Sequence, residues 1–326
     1  MKNTNLSLEQ KQLLNRSRIL GQSTALPIKL EDSELVKIIS IILSDTGNND
    51  LIPESISKFN RFPLDYYKTP LSWFYENITF DHFKEFYIKC INNIDDFETY
   101  FKCLCELHKR RRKYEQILSA QPLPTMLQVA PRALLEYGSL GNAQLASWIT
   151  WKKWFYDIDN RAAQETGYLF EPILANALGG VPLSAKSSPI KRIKDQQRRR
   201  QVDCLVDDDA YEFKLRVTIA ASGQGRFGEE VDFAADCRAS NYNPVLVVLD
   251  PTPNPRLTDL ALAFENAGGK SYIGDDAWNH LEQRSGATMA TFIEKYVRRP
   301  ISEMTLYEGK LDTRNNRLIW PVLRGF

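Results

Sequence analysis

Asp203, Glu212 and Lys214 are the residues whose types and spacing best suit chemistry in this chain. Eight residues separate Asp203 from Glu212, and Glu212-Phe213-Lys214 then follows as a unit. Two carboxylates held within a few ångströms repel each other, and a hard divalent cation relieves that repulsion. A lysine beside such a cation can orient a water molecule or stabilise developing charge. The set suits metal-assisted hydrolysis, with Asp203 and Glu212 as ligands of a divalent cation. Glu-x-Lys alone is common on solvated hairpins, so the surrounding elements must decide.

Gln201 to Arg216 reads as two strands joined by an acidic turn. Val202, Cys204 and Val206 alternate with Asp203 and Leu205 at the period of a strand. Asp207-Asp208-Asp209 supplies the turn, because Asp bonds its own backbone and tolerates left-handed geometry. Tyr211, Phe213 and Leu215 fall on one face of the second strand, Glu212, Lys214 and Arg216 on the other. With the apolar face on the core, the polar face sets a carboxylate beside an ammonium, opposite Asp203.

Arg161 to Leu178 reads as a helix feeding this hairpin and ending at Gly179-Gly180. Lys186, Lys191, Arg192, Lys194, Arg198, Arg199 and Arg200 then stand against a single acid, Asp195. A polyanion approaching Asp203 meets these charges first, and Arg216 and Arg226 extend the candidate contact set. Ser222 to Gly228 reads as a glycine-rich loop that lacks the Lys-Ser/Thr of a Walker phosphate loop. Beyond it come a helix (Glu229 to Ala239), an apolar strand buried on both faces (Pro244 to Leu249), a helix (Arg256 to Ala267), a short strand (Ser271 to Ile273) and a helix from Asp276 to Arg284.

The first 120 or so residues read as mainly helical. Leu6-Ser-Leu-Glu9 opens an amphipathic segment, Asp32-Ser-Glu34 precedes the apolar run Leu35 to Leu43, and a long helix spans Asp96 to Leu118. The aromatics Phe59, Phe62, Tyr66, Tyr67, Trp73, Phe74 and Tyr75 have core spacing. Lys109 to Lys113 are five cations in a row, either a solvated helix face or a phosphate-contacting stripe that includes Arg110 and Arg111. Pro122, Pro124 and Pro131 mark a break. It divides a helical region, 1–130, serving recognition, dimerisation or scaffolding, from a catalytic region, 131–326. Trp148, Trp151 and Trp154 wedge the two together.

The chain has 326 residues, 43% hydrophobic and 25% charged, as in an ordinary globular protein. A net charge of +1 gives no global polyanion signature. Five cysteines and three histidines lack zinc spacing. No signal peptide or membrane-length apolar run is present, so a cytoplasmic protein with reduced thiols is expected and no membrane partner.

Asp203…Glu212-Phe-Lys214 resembles the PD-(D/E)XK nuclease motif, with Val202 where that family often has proline. Strand, hairpin, helix, strand, helix and strand is the element order of the PD-(D/E)XK core, and the likeness covers roughly residues 160 to 285. It implies an α/β (α+β) fold, a mixed central sheet flanked by helices with an added N-terminal helical region. It also implies one or two Mg²⁺ held by Asp203, Glu212 and the main-chain carbonyl of Phe213, and a glutamate from the preceding helix in the site, for which Glu171 fits best and Glu165 is the reserve. The segments Ala146 to Ala177 and Glu212-Phe-Lys-Leu-Arg-Val-Thr218 are similar to the ApaLI-like restriction enzymes. That narrower resemblance implies a Mg²⁺-dependent type II restriction endonuclease acting on duplex DNA at a palindrome of the GTGCAC type, with a cognate DNA methyltransferase in the same system. One catalytic set per chain implies a homodimer, paired through the helical region or the apolar tail around Leu318 to Leu323.

The alternatives are a repair or mobile-element nuclease with the same core, and a non-catalytic DNA-binding protein. A binding module has no need of an acidic pair facing DNA. An unrelated enzyme with Ser222 or Cys237 as nucleophile lacks a nearby histidine.

Overall fold

The computed structural model describes residues 5–20, 27–58, 65–120, 141, 143, 169–215 and 224–308. Helix α1 (Leu8–Arg18) starts where Ser7 and Gln10 close a reciprocal capping box. It leads into a small antiparallel pair, β1 (Ile19–Leu20) and β2 (Ile28–Lys29). Helix α2 (Asp32–Asp45) opens on a second box, Glu31 with Glu34, and buries everything from Leu35 to Leu43. Short helices α3 (Glu54–Ser57), α4 (Leu71–Tyr75) and α5 (Phe83–Ile91) precede the long α6 (Phe97–Ala120). Tyr66, Trp73 and Phe74 are buried, as their spacing predicts, whereas Tyr67 and Tyr75 of the same run are exposed against that expectation, each lying next to a buried ring; Phe59 and Phe62 lie outside the described residues.

After a helix α7 over 169–177, five strands form one sheet: β3 (Val181–Leu183), β4 (Val202–Val206), β5 (Asp209–Lys214), β6 (Asn243–Val248) and β7 (Lys270–Ile273). Their spatial order is their chain order. β3, β4 and β5 pair antiparallel, while β5, β6 and β7 are parallel, joined by α8 (Gln224–Ala239) and α9 (Pro255–Asn266). Helix α10 (Asp275–Ile293), a π-helical turn (Glu294–Arg298) and α11 (Arg299–Glu308) follow.

The sheet separates two apolar clusters. Ala210, Leu246 and Val248 face Phe233, Ala234, Cys237, Leu260 and Phe264 of α8 and α9. Cys204, Tyr211, Phe213, Val245 and Val247 face the opposite side, where one core takes in α7, α10, α2 and α6. Apolar packing is thus continuous between residues on either side of the break expected near residue 130.

One stretch departs from the sequence reading. The expected glycine loop is partly helix, since α8 starts at Gln224 and includes Gly225 and Gly228. Packing of Phe227 and Val231 against the second cluster offsets the helix cost of glycine. The helix expected from Asp276 to Arg284 is the first part of α10: Gly286, at φ 72° and ψ 166°, breaks the helical path just beyond it, a conformation glycine takes without strain, and a second helical stretch follows to Ile293. The expected tryptophan wedge and the apolar C-terminal tail lie outside the described residues.

Candidate active site

The hairpin forms as its alternation dictates. Val206 pairs with Asp209 across a turn of Asp207 and Asp208, and Asp207 takes the left-handed φ of 51°. Cys204 pairs with Tyr211, and the same register carried one step further sets Asp203 opposite Glu212. On its other side β4 is irregular. Leu205 pairs with Val181 but Val202 pairs with Leu183, so β4 holds one extra residue around Asp203 and Cys204. Such a bulge re-aims a side chain. Val202 and Cys204 accordingly join opposite clusters. Gly180 allows this strand to lie close to α7, for a Cβ there would collide with Cys204 Sγ and the Leu205 carbonyl.

Asp203 is 8% exposed, and its Oδ2 accepts the Phe213 N–H at 3.0 Å. Burial, then the charges of Glu212 and Glu171, push its carboxyl well above the usual range against the pull of that N–H and of Lys214. Glu171, on α7, is also raised, by burial and then by Glu212. Lys214 Nζ donates to Glu212 Oε1 at 2.7 Å and to Glu230 Oε1 of α8 at 3.1 Å. Burial works against its charge, but Glu212 and Glu230 outweigh it and hold the ammonium above its ordinary value. The fold therefore brings Asp203, Glu212, Lys214 and Glu171 together. Glu230 is the participant that the sequence reading did not name; Glu165 lies outside the described residues.

The candidate DNA contacts are placed differently from one another. Arg200 is buried and bonded to Asp236 at 2.5 Å and to Glu229, both on α8. Arg192 also meets Glu229, and Lys194 meets Asp232 at 2.5 Å. Arg198 is exposed beside Asp195 at 3.3 Å, and exposed Arg199 donates to the Ser188 carbonyl at 3.1 Å. On α6, Arg111 donates to the carbonyls of Tyr66 and Thr69, and Arg110 is half-buried. Arg216 and the side chain of Arg226 lie outside the described residues. Cys237 is fully buried and its thiol is pushed far up by burial, which does not suit a nucleophile.

Among the described residues, no three His, Cys, Asp or Glu side chains converge into a ready-made metal cage. The buried Asp203 has one backbone N–H against two neighbouring carboxylates, an excess of negative charge that a divalent ion relieves.

A mixed sheet with an acidic pair and a lysine on its hairpin, and a glutamate supplied from the preceding helix, defines a restriction-endonuclease-like core. The model of the ApaLI-like restriction endonuclease family matches residues 57–298. Type II restriction enzyme ApaLI of Acetobacter pasteurianus is 49% identical over 325 residues, covering 94% of this chain and 85% of the relative. The chain belongs to the ApaLI-like restriction endonuclease family. Membership implies a divalent metal cofactor and DNA as partner. No solved structure matches the chain. Among the described residues no helix is long and apolar enough to cross a membrane.

Proposed function

We propose that this chain is a Mg²⁺-dependent type II restriction endonuclease. It cuts both strands of duplex DNA at a palindrome of the GTGCAC type, working as a homodimer in the cytoplasm beside a cognate DNA methyltransferase. The observation that carries the reading is the anion-rich set of Asp203, Glu212 and Glu171 around Lys214, in a chain 49% identical to a type II restriction enzyme.

Asp203, Glu212 and the Phe213 carbonyl hold the ion, with Glu171 as a further ligand. Bound there, Mg²⁺ supplies Lewis-acid activation of the scissile phosphate and of the attacking water. The Phe213 N–H fixes one oxygen of Asp203 and leaves the other for the ion. Lys214 stays protonated and presents a donor to the water or to a phosphate oxygen as charge builds there. Exposed Arg198 and Arg199, with Lys186 and Lys191, meet the DNA backbone, while Arg192, Lys194 and Arg200 bind α8 and set the shape of the loop that carries them. Arg110, Arg111, Arg216 and Arg226 complete the proposed contact set. Residues 1–130 serve recognition or dimerisation around the 131–326 catalytic region.

Purified protein incubated with plasmid and Mg²⁺ tests this, with the ends of the products sequenced. Discrete fragments with one common end sequence are expected. Random nicks, or intact plasmid that carries the site, contradict it. The mass of the complex with a short cognate duplex tests the dimer, and a one-to-one complex that accumulates nicked circles only contradicts it.

A further inference from the structure

We propose that Glu230 is a positioning residue for Lys214, an inference that rests on the nuclease reading above. Glu230 shares a face of α8 with Ala234 and Cys237, four and seven residues on, and both of these are fully buried toward the sheet. The core packing of α8 therefore aims this carboxylate at β5. Its neighbour Glu229 points elsewhere, to Arg192 and Arg200.

A lysine ammonium has three donors. Two go to Glu212 at 2.7 Å and Glu230 at 3.1 Å, which leaves one for substrate or water. The two partners are not equivalent. Glu212 acts strongly on buried Asp203 and belongs to the metal-binding pair, so bound metal competes with Lys214 for its oxygens. Glu230 sits on a helix across from the strand and faces the lysine. It is the anchor that holds the ammonium in place when Glu212 turns to metal. Side-chain exposure of 19% for Lys214 and 27% for Glu230 keeps the pair largely out of solvent, where a charge-assisted bond fixes geometry well.

The test compares wild type, Glu230→Ala and Glu230→Gln on a short cognate duplex. Four quantities are read: the single-turnover cleavage rate, the Mg²⁺ concentration at half-maximal rate, the DNA Kd in Ca²⁺, and the melting temperature. Loss of a hydrogen bond to a charged group slows the rate roughly 10- to 100-fold in Glu230→Ala. Glu230→Gln keeps an acceptor without the charge and loses less, while the Mg²⁺ midpoint and the DNA Kd stay as in wild type. A wild-type rate in either variant overturns the proposal. So does a raised Mg²⁺ midpoint with the rate recovered at high Mg²⁺, which marks a metal ligand, or a lower melting temperature with the rate per folded enzyme intact. Should Glu230→Ala not fold, the isosteric Glu230→Gln decides alone. Wild type that cuts no DNA overturns the nuclease reading instead.

Discussion

Two regions of this molecule bury acidic side chains, and they treat them in opposite ways. In the helical region, Glu34 accepts from Arg112 at 2.8 and 3.0 Å; His108 Nε2 lies 3.5 Å from it, and Tyr66 OH meets His108 Nδ1 at 3.0 Å. Burial opposes its charge, but His108, the Glu31 N–H and Arg112 together hold its carboxyl below the ordinary value. Asp45 accepts from Tyr100 OH at 2.8 Å and from Tyr296 OH and Lys295, while Tyr67 OH donates to the carbonyl of Tyr296 at 2.7 Å in the π-helical turn. These acids tie α2, α6 and the turn after α10 together. At the hairpin, by contrast, Glu212 and Glu230 share one lysine, and Asp203 and Glu171, which feel the charge of Glu212, are both pushed upward. Buried acids matched by protein donors hold a fold, whereas surplus acids leave a position for a cation from outside.

The contrast predicts how substitutions sort. Glu212→Ala and Lys214→Ala should each slow Mg²⁺-dependent cleavage by at least about 1,000-fold, roughly 4 kcal/mol in the barrier. Melting temperature should be unchanged or higher in Glu212→Ala, which removes a surplus charge, and lower in Lys214→Ala, which takes the ammonium away from the acids. A plasmid assay beside a thermal melt checks this, and activity near wild type in either variant breaks the comparison. Glu34→Ala or Asp45→Ala should do the reverse. Each leaves a buried cation or donors unmatched and costs about 3 kcal/mol of stability, measured by denaturant unfolding, while cleavage per folded molecule is kept.

The pH dependence sharpens the same point. His108 is buried among Tyr66, Glu34, Arg111 and Arg112, and burial lowers its pKa from 6.5. The unfolded chain therefore takes up this proton first, so stability is full above about pH 6.5 and falls as pH drops below it. Glu34, depressed from 4.5, adds stability above that value and loses it only as pH falls through its lower folded pKa. His108 and Glu34 thus lower the melting temperature in two stages on acidification, while the raised carboxyls of Asp203 and Glu171 act in the opposite sense. The difference between wild type and His108→Gln therefore isolates the first stage and should shrink from pH 7 to 5. A difference that is constant from pH 7 to 5 contradicts this. The smallest effect concerns the loop: replacing exposed Arg198 and Arg199 by Ala should flatten log Kd against log salt by about one unit for each phosphate no longer engaged. An unchanged slope assigns both to solvent.

Much of the site was legible because a hairpin's chemistry is local. Alternation placed Glu212 and Lys214 together, and the acidic turn fixed their register with Asp203. Glu171 came from the resemblance to the nuclease core, since nothing local to its helix separates it from Glu165. The bulge at Asp203 was not legible, since pairing with β3 creates it and β3 lies some twenty residues upstream in sequence. Glu230 was hidden for another reason. Glu229, Glu230 and Asp232 look alike in a row, and only the helical phase set by Ala234 and Cys237 separates the one that meets Lys214 from those that meet Arg192, Arg200 and Lys194. That same acidic stripe on α8, completed by Asp236, was the available sign that part of the basic loop has partners within the chain. The run Lys109 to Lys113 teaches the same caution, because Lys109 donates to the carbonyls of Arg16 and Ile19 and Arg112 to Glu34.

The most direct test of the central claim is the melting temperature of wild type and Asp203→Asn, each in EDTA and in Mg²⁺. Asn keeps an acceptor for the Phe213 N–H and removes one charge from the crowded site. The account predicts that wild type melts higher with Mg²⁺ than in EDTA, that Asp203→Asn in EDTA melts above wild type in EDTA, and that the variant gains little from the ion. A wild type indifferent to Mg²⁺, with a variant that melts below it, would contradict the claim that these acids are held in surplus for a metal.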